Sequence, residues 1–289
     1  MITIATHSGS FHADDVFSIA AFQLLLGKEN LKVIRTRDDN VIATSDYVVD
    51  VGGEYDHATK RYDHHQPGAP VRENGIPYAG FGLMWRHYGE EICGSAEVAQ
   101  KIEEKLCWPV DLGDNAVSVW ETGQYDIRPL EWDGILKAWQ AESSLGEDAD
   151  AHFLLAVDVA RSYLERVISK QKIKLAQRDI AIALYEQSED KRVLVSDQYI
   201  ARSFFVVYPE VELVIFPRED TNDWMAVAVQ AEETGFATRV RFPESWAGLR
   251  EEELATASGF PDAVFCHKDR YMFIAKSQES VLAAAKLVK

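Results

Sequence analysis

The chain of 289 residues is 47% apolar, enough to bury two ordinary cores or one large one. It carries 30 basic against 47 acidic side chains, a net charge of −17, which excludes a protein that coats duplex nucleic acid through a broad basic surface. A local site for a polyanion is not excluded, because bound cations reverse the charge around them.

The elements read in chain order as follows. Residues 2–6 form a short apolar strand that runs into the turn His7-Ser8-Gly9-Ser10. Asp14 or Asp15 is the expected N-cap of a helix whose apolar face runs from Val16 to Leu26, and Gly27 ends it. Residues 32–36 and 47–51 are further strands, the second ending in Asp50-Val51-Gly52-Gly53. Strand, helix, strand predicts a mainly parallel sheet. Residues 54–65 read as a short hairpin ending in Asp63-His64-His65.

The pattern then turns helical, with predicted helices at 81–88, 97–106, 115–121 and 134–140. No Gly or Pro occurs between Gly146 and Pro209, and residues 149–188 predict one long helix or two nearly continuous ones. Strands follow at 193–196, 204–207, 212–216, 225–230 and 237–242. A last group reads as helix 251–257, strands 263–266 and 271–275, and helix 278–288. The expected organisation is a catalytic α/β domain over 1–145, a long helical connector over 146–190 and a smaller α+β domain over 191–289. Residues 101–160 hold 4 basic and 13 acidic side chains, whereas 161–180 hold 6 basic and 2 acidic, so the charge is uneven.

No run of about 18 apolar residues predicts a membrane span. The N-terminus lacks the charged and apolar regions of a secretory signal. Cys93, Cys107 and Cys266 form no CxxC pair, so neither a disulfide framework nor a zinc ribbon is expected, and a cytoplasmic setting fits.

Five of the eight histidines lie in the first 65 residues, among Asp14, Asp15, Asp50, Asp56 and Asp63. That clustering points to metal rather than to satisfied lone imidazoles. Carboxylate-rich mixtures of these ligands lean toward Mn²⁺ over Mg²⁺ or Zn²⁺. Two patches, His7-x4-His12-x-Asp14 and Asp50, follow strands, where open α/β sheets place their sites. Asp63-His64-His65 and Asp114-Asn115, expected at a helix start, complete the set. Crowded carboxylates repel one another unless cations neutralise them. Two divalent ions about 3.5–4 Å apart, sharing one carboxylate, suit phosphoryl chemistry. The candidate ligands are His7, His12, Asp14, Asp50, His64 and Asp114, with Asp50 as the natural bridge. His65 is then left to meet the substrate phosphate as donor or general acid, and Asp63 to orient a neighbouring imidazole.

These stretches resemble the DHH phosphoesterase superfamily and, within it, the MYG family of metal-dependent hydrolases. The similarity runs through Thr6-His7, Phe11-His12-x-Asp14, Val48 to Asp56, Arg61 to Gln66, Asp114-Asn115, Glu244 to Arg250 and Ser258 to Pro261, and so covers nearly the whole chain. It implies a DHH-like domain with a C-terminal domain closing over the cleft, and 3′–5′ removal of nucleotides from RNA. It further implies one ion on His7 and His12, a second on Asp14, His64 and Asp114, and Asp50 on both. Two departures stand out. His12 replaces an aspartate of the superfamily's first motif, with a spacing one residue longer. The glycine-rich substrate turn near the C-terminus reads Phe273-Ile274-Ala275-Lys276. Lys276, Arg35, Arg37 and His267 are the candidate substrate contacts.

The expected function is therefore a two-metal phosphodiesterase acting on single-stranded RNA or a short oligonucleotide, without strong binding to duplex DNA or membrane. A homo-oligomer is left open. The rivals are a small-molecule phosphatase or pyrophosphatase on the same metal core, and a non-catalytic, metal-stabilised binding protein.

Overall fold

A computed structural model describes residues 1–118, 120–121, 127, 129–232 and 235–289. Contacts divide the chain into two compact units, Met1–Lys172 and Ile173–Lys289.

The first unit opens with β1 (Ile2–Thr6) and α1 (Ala13–Leu26), followed by β2 (Leu31–Arg35), α2 (Asp39–Thr44) and β3 (Tyr47–Val49). The two-residue strands β4 (Tyr55–Asp56) and β5 (Arg61–Tyr62) form the expected hairpin. The sheet order is β2-β1-β3-β5-β4, and every pairing is parallel except β4 with β5. Its three central strands β1, β3 and β5 run the same way, so their carboxyl ends lie side by side. Those ends lead into His7, Asp50 and Asp63-His64-His65. This is how residues up to 58 positions apart in sequence meet at one sheet edge.

Helices α3 (Gly80–Cys93), α4 (Ala96–Ile102), α5 (Trp108–Asp114) and α6 (Trp132–Leu136) follow, with a wide π-turn, Glu103–Cys107, joining α4 to α5. Every residue of α1 from Ala13 to Gln23 is buried. A helix buried on all sides lies inside a core, and its buried polar residues Asp14, Asp15, Ser18 and Gln23 stand out against it. Phe17 stacks on Phe81 of α3, and Phe22 packs on Tyr47 of β3. The 39-residue α7 (Ala149–Gln187) appears as one uninterrupted helix, as its freedom from Gly and Pro predicts. The division between the units falls within it. No described helix is long and apolar enough to cross a membrane.

The second unit carries β6 (Val193–Val195), β7 (Leu213–Pro217), β8 (Trp224–Ala228), α8 (Glu251–Ser258), β9 (Ala263–Cys266), β10 (Met272–Ala275) and α9 (Gln278–Ala285). Its sheet order is β6-β7-β8-β10-β9, antiparallel apart from β6 with β7. Period-2 alternation sends Leu213 and Ile215 into one core with Leu254 and Val281, and Val214 and Phe216 into another with Leu194 and Phe205.

Four local expectations are corrected. The N-cap of α1 is His12, and Asp15 closes the turn by accepting the His12 N–H at 2.8 Å. Among the described residues of 115–121, none is helical. α5 ends at Asp114, Ala116 adopts φ +56°, and the Asn115 side chain donates to the carbonyls of Asp111 and Tyr78. Val119 of that predicted helix lies outside the described residues. Residues 202–205 form a 3₁₀ turn instead of a strand over 204–207. The guanidinium of Arg239 explains it, donating to the carbonyls of Phe205, Val206, Tyr208 and Val211 that a ladder would otherwise have to satisfy. The expected strand 237–242 is reduced to a single bridge between Gln230 and Thr238.

Candidate metal centre

Asp50 lies at the middle of the site. Its backbone takes φ +53°, a left-handed conformation uncommon outside glycine, at the point where β3 ends. The turn is pinned by the Asp50 N–H donating to the Tyr62 carbonyl at 3.1 Å. The carboxylate is thereby aimed back among the imidazoles. His7 Nε2 is 3.3 Å from Asp50 Oδ2, and His64 Nε2 is 3.6 Å from Asp50 Oδ1. His64 Nε2 also lies 2.8 Å from Asp114 Oδ2, and His12 Nδ1 lies 3.7 Å from Asp114 Oδ1.

These groups fall into clusters whose ligand atoms lie within 4.8 Å of one another. One is His7, His12 and Asp50; a second is Asp14, Asp50, His64 and Asp114; a third is Asp50, Asp63, His64 and His65. Asp50 belongs to all three. The first two clusters bring together the six residues expected as ligands. Asp114 reaches them from the last residue of α5, not from a helix start.

The donor set fits a cation. Asp50 Oδ1 and His64 Nε2 are buried with no aligned hydrogen-bond partner among the described residues. Such groups are costly to leave unsatisfied. Burial, and then the charges of Asp50, Asp114 and Asp111, push the Asp14 carboxyl well above its ordinary range. Burial alone would discharge His7, but the carboxylates of Asp15 and Asp50 outweigh it and push its pKa up to about 10. His64 reaches about 10 in the same way, burial being outweighed by Asp114 and Asp50. Against its own burial, the two imidazoles pull Asp50 down to about 2. A divalent ion would replace those protons as the counter-charge and relieve the repulsion.

Residues around the cluster hold it in place. Asp14 accepts the N–H groups of Gly80 and Phe81, at 2.9 and 2.7 Å, at the N-terminus of α3. A side chain at position 80 would stand 2.8 Å from Asp14 Oδ2 and 3.1 Å from the Tyr62 carbonyl, so glycine is required for that approach. Buried Asp63 accepts from the backbone N–H groups of Gly53, His64 and His65, and its Oδ1 lies 2.6 Å from His65 Nδ1. The His65 ring is largely exposed.

The surrounding pocket holds about 420 Å³ and is walled by His7, His12, Arg37, Asp50, His65 and Asp114 among others. Arg37 thus faces the centre. Arg35 is spent inside the fold: its side chain is 2% exposed and bonds to the carbonyls of Gly9 and Ala149 and to Asp150. It also lies over the rings of Phe11 and Phe153. His267 and Lys276 belong to the second unit. The His267 ring accepts the Asp269 N–H and packs on Tyr271, whereas Lys276 is exposed.

Residues 3–288 match the MYG1 exonuclease family, described as Uncharacterised protein family (UPF0160). The chain belongs to that family. It is 28% identical to the human MYG1 exonuclease over 333 residues, covering 98% of this chain and 84% of that protein. It is 31% identical to the MYG1 protein of Chlamydia muridarum, covering 99% and 96%. Among solved structures, it aligns with the pGpG-specific phosphodiesterase PggH over 99% of this chain and 96% of that one, at 12% identity and a TM-score of 0.33.

In the sequence Asp15 is a candidate N-cap and one of the acids clustered with the histidines. In this MYG1-family chain it is also fully buried, with Oδ2 3.2 Å from His7 Nε2. It faces the same ring nitrogen as Asp50 does, while the other, Nδ1, lies 3.3 Å from the Ser8 carbonyl. The signal was present in the spacing His12-x-x-Asp15, which places Asp15 at the third helical position, pointing back toward the turn. The amides of Gly80 and Phe81 carried no comparable signal, because their partner Asp14 lies 66 residues away.

Proposed function

We propose that this protein is a two-metal phosphodiesterase that removes nucleotides from the 3′ end of RNA or of short single-stranded nucleic acid, with Mn²⁺ as the preferred ion. The observation that carries the reading is the sharing of Asp50 between two ligand clusters, His7/His12 and Asp14/His64/Asp114. Membership of a family with exonuclease relatives supports a phosphodiester substrate.

Divalent ions held there would supply Lewis acidity, activating water and neutralising charge on the phosphoryl oxygens. The chain's own groups do the rest. Asp63 fixes His65 through Nδ1, which leaves Nε2 as the nitrogen able to hand a proton to the departing oxygen. Arg37 adds a permanent positive charge on the pocket wall. The Ser8 carbonyl meets His7 Nδ1, which leaves Nε2 turned toward Asp50 and Asp15. The described lining includes this one arginine and no lysine, which suits a phosphodiester better than the denser charge of pyrophosphate.

The test is trimming of 5′-labelled single-stranded RNA with Mn²⁺, beside pyrophosphate and single-stranded DNA. Asp50→Ala is expected to lower activity by at least about 100-fold. Unchanged trimming by that variant would overturn the shared-ligand reading. Release of phosphate from pyrophosphate with RNA left intact would transfer the function to the small-molecule class.

A further inference from the structure

We propose that a second cavity in the first unit, beside the metal centre, takes the base of the nucleotide being removed. This rests on the phosphodiesterase reading and adds a binding site to it. The cavity holds about 390 Å³, within the roughly 300–1,000 Å³ usual for small-ligand sites. Trp120, Trp132, Pro109 and Leu130 supply apolar walls, and Glu131 and Asp133 add two carboxylates.

Two backbone segments are common to the cavity and the metal centre. Ala13 lines the cavity and sits between His12 and Asp14; Gly113 lines it and precedes Asp114. Asp133 ties the wall to the centre by accepting the Ala13 N–H at 2.6 Å. Successive residues are about 3.8 Å apart along the chain, and one sugar separates a base from its phosphate. The cavity wall at Ala13 and Gly113 is thus one residue along the chain from ligand candidates His12, Asp14 and Asp114, a spacing that one sugar can span.

The chemistry of the lining selects the occupant. The two carboxylates among the described lining residues, Glu131 and Asp133, disfavour a phosphate there. Carboxylates also fit poorly with a purely aliphatic guest. A flat heteroaromatic ring with N–H donors satisfies both features, and the amino-bearing bases present such an edge. The indoles are set in advance. Trp120 Nε1 donates to Glu131 Oε1 at 3.1 Å, and Trp132 is backed edge-on by Phe17 and Tyr163, with ring centroids 4.9 and 4.6 Å away. Pre-set aromatic faces stack on bases at little ordering cost. Leu130, 77% exposed, leaves apolar surface open to an incoming ring.

The experiment compares adenosine 5′-monophosphate with ribose 5-phosphate, which lacks the base, by titration calorimetry on the Mn²⁺-loaded protein. The nucleotide is expected to bind about tenfold more tightly, a gap of the size one stacked base provides. Trp120→Ala should close that gap by weakening the nucleotide alone, and Trp120→Phe should restore most of it. Equal affinities in the wild type, or equal weakening of both ligands by Trp120→Ala, would overturn the proposal. In parallel, an RNA oligomer is compared with one whose 3′-terminal residue is abasic. Trimming of both at one rate overturns the base pocket alone. Trimming of neither overturns the phosphodiesterase reading on which it rests.

Discussion

Two buried carboxylates of the same unit, Asp111 and Asp50, solve one problem in opposite ways. Asp111 is fully buried and faces an arginine: Arg72 Nη2 lies 2.7 Å from Oδ2, and the Gly82 N–H donates to Oδ1 at 3.1 Å. Arg72 is held in turn by Glu103, the Pro77 carbonyl and the face of Tyr78. Burial pushes Asp111 up to about 7 against the pull of Arg72. Asp50 meets only histidines among its described ion-pair partners. An arginine never gives up its proton, so the first arrangement is closed to any external cation. A histidine does, so the second can exchange its protons for a metal. Permanent counter-charge makes a strut, and removable counter-charge makes a site.

The largest expected effect that would break this contrast is on stability. Arg72→Met leaves Asp111 buried without its counter-ion and should cost about 3–5 kcal/mol, read as a fall in the chemical-denaturation midpoint in chelator. Asp50→Asn under the same conditions should cost much less, since asparagine tolerates the left-handed backbone and the metal is already absent. Equal losses would mean that the two carboxylates play the same structural part. A smaller effect concerns the support of Asp14. Gly80→Ala places a methyl group against Oδ2, and metal affinity should fall about 10–100-fold, measured by competition with a chromophoric chelator. Unaltered affinity would show that Asp14 holds no ion.

The smallest effect uses two histidines with no carboxylate partner among the described residues. His57 and His87 stack with ring centroids 3.7 Å apart and planes 5° apart, each bonded to a tyrosine hydroxyl, Tyr62 and Tyr55. Burial first, then the charges of His57 and Arg86, lower His87 to about 4. A depressed folded-state pKa means that the native fold favours the neutral ring. The stability it contributes is complete above about 6.5 and declines as pH falls toward 4. His87→Gln should flatten that part of the melting-temperature profile, and an unchanged slope between pH 6.5 and 4 would assign the acid lability elsewhere.

Much of the centre was legible because parallel strands deliver side chains at predictable ends. A strand that stops in Asp50, and a hairpin that stops in Asp63-His64-His65, can be aligned from hydrophobic runs alone. Asp114 was legible as a member of the cluster but not as a helix end, because aspartate favours helix starts and its place at the end of α5 runs against that preference. Residues 204–207, Phe204-Phe205-Val206-Val207, have the aromatic and β-branched composition of a strand, and only the distant Arg239 shows why their carbonyls need no ladder. The role of Arg35 was hidden for the same reason, its partner Asp150 lying 115 residues away.

That last contact has a consequence in time rather than in space. Every candidate ligand has been synthesised once residue 114 is made. The groups that clasp the His7–His12 turn come later: Asp133 on Ala13, Gln140 on the Phe11 carbonyl, and Asp150 on Arg35. At about 5–20 residues per second, the intervening stretch takes roughly 2–7 s to emerge. For that interval the growing chain holds a full set of ligands without the clasp that positions them, so an ion captured early would help recruit the late segment to its place.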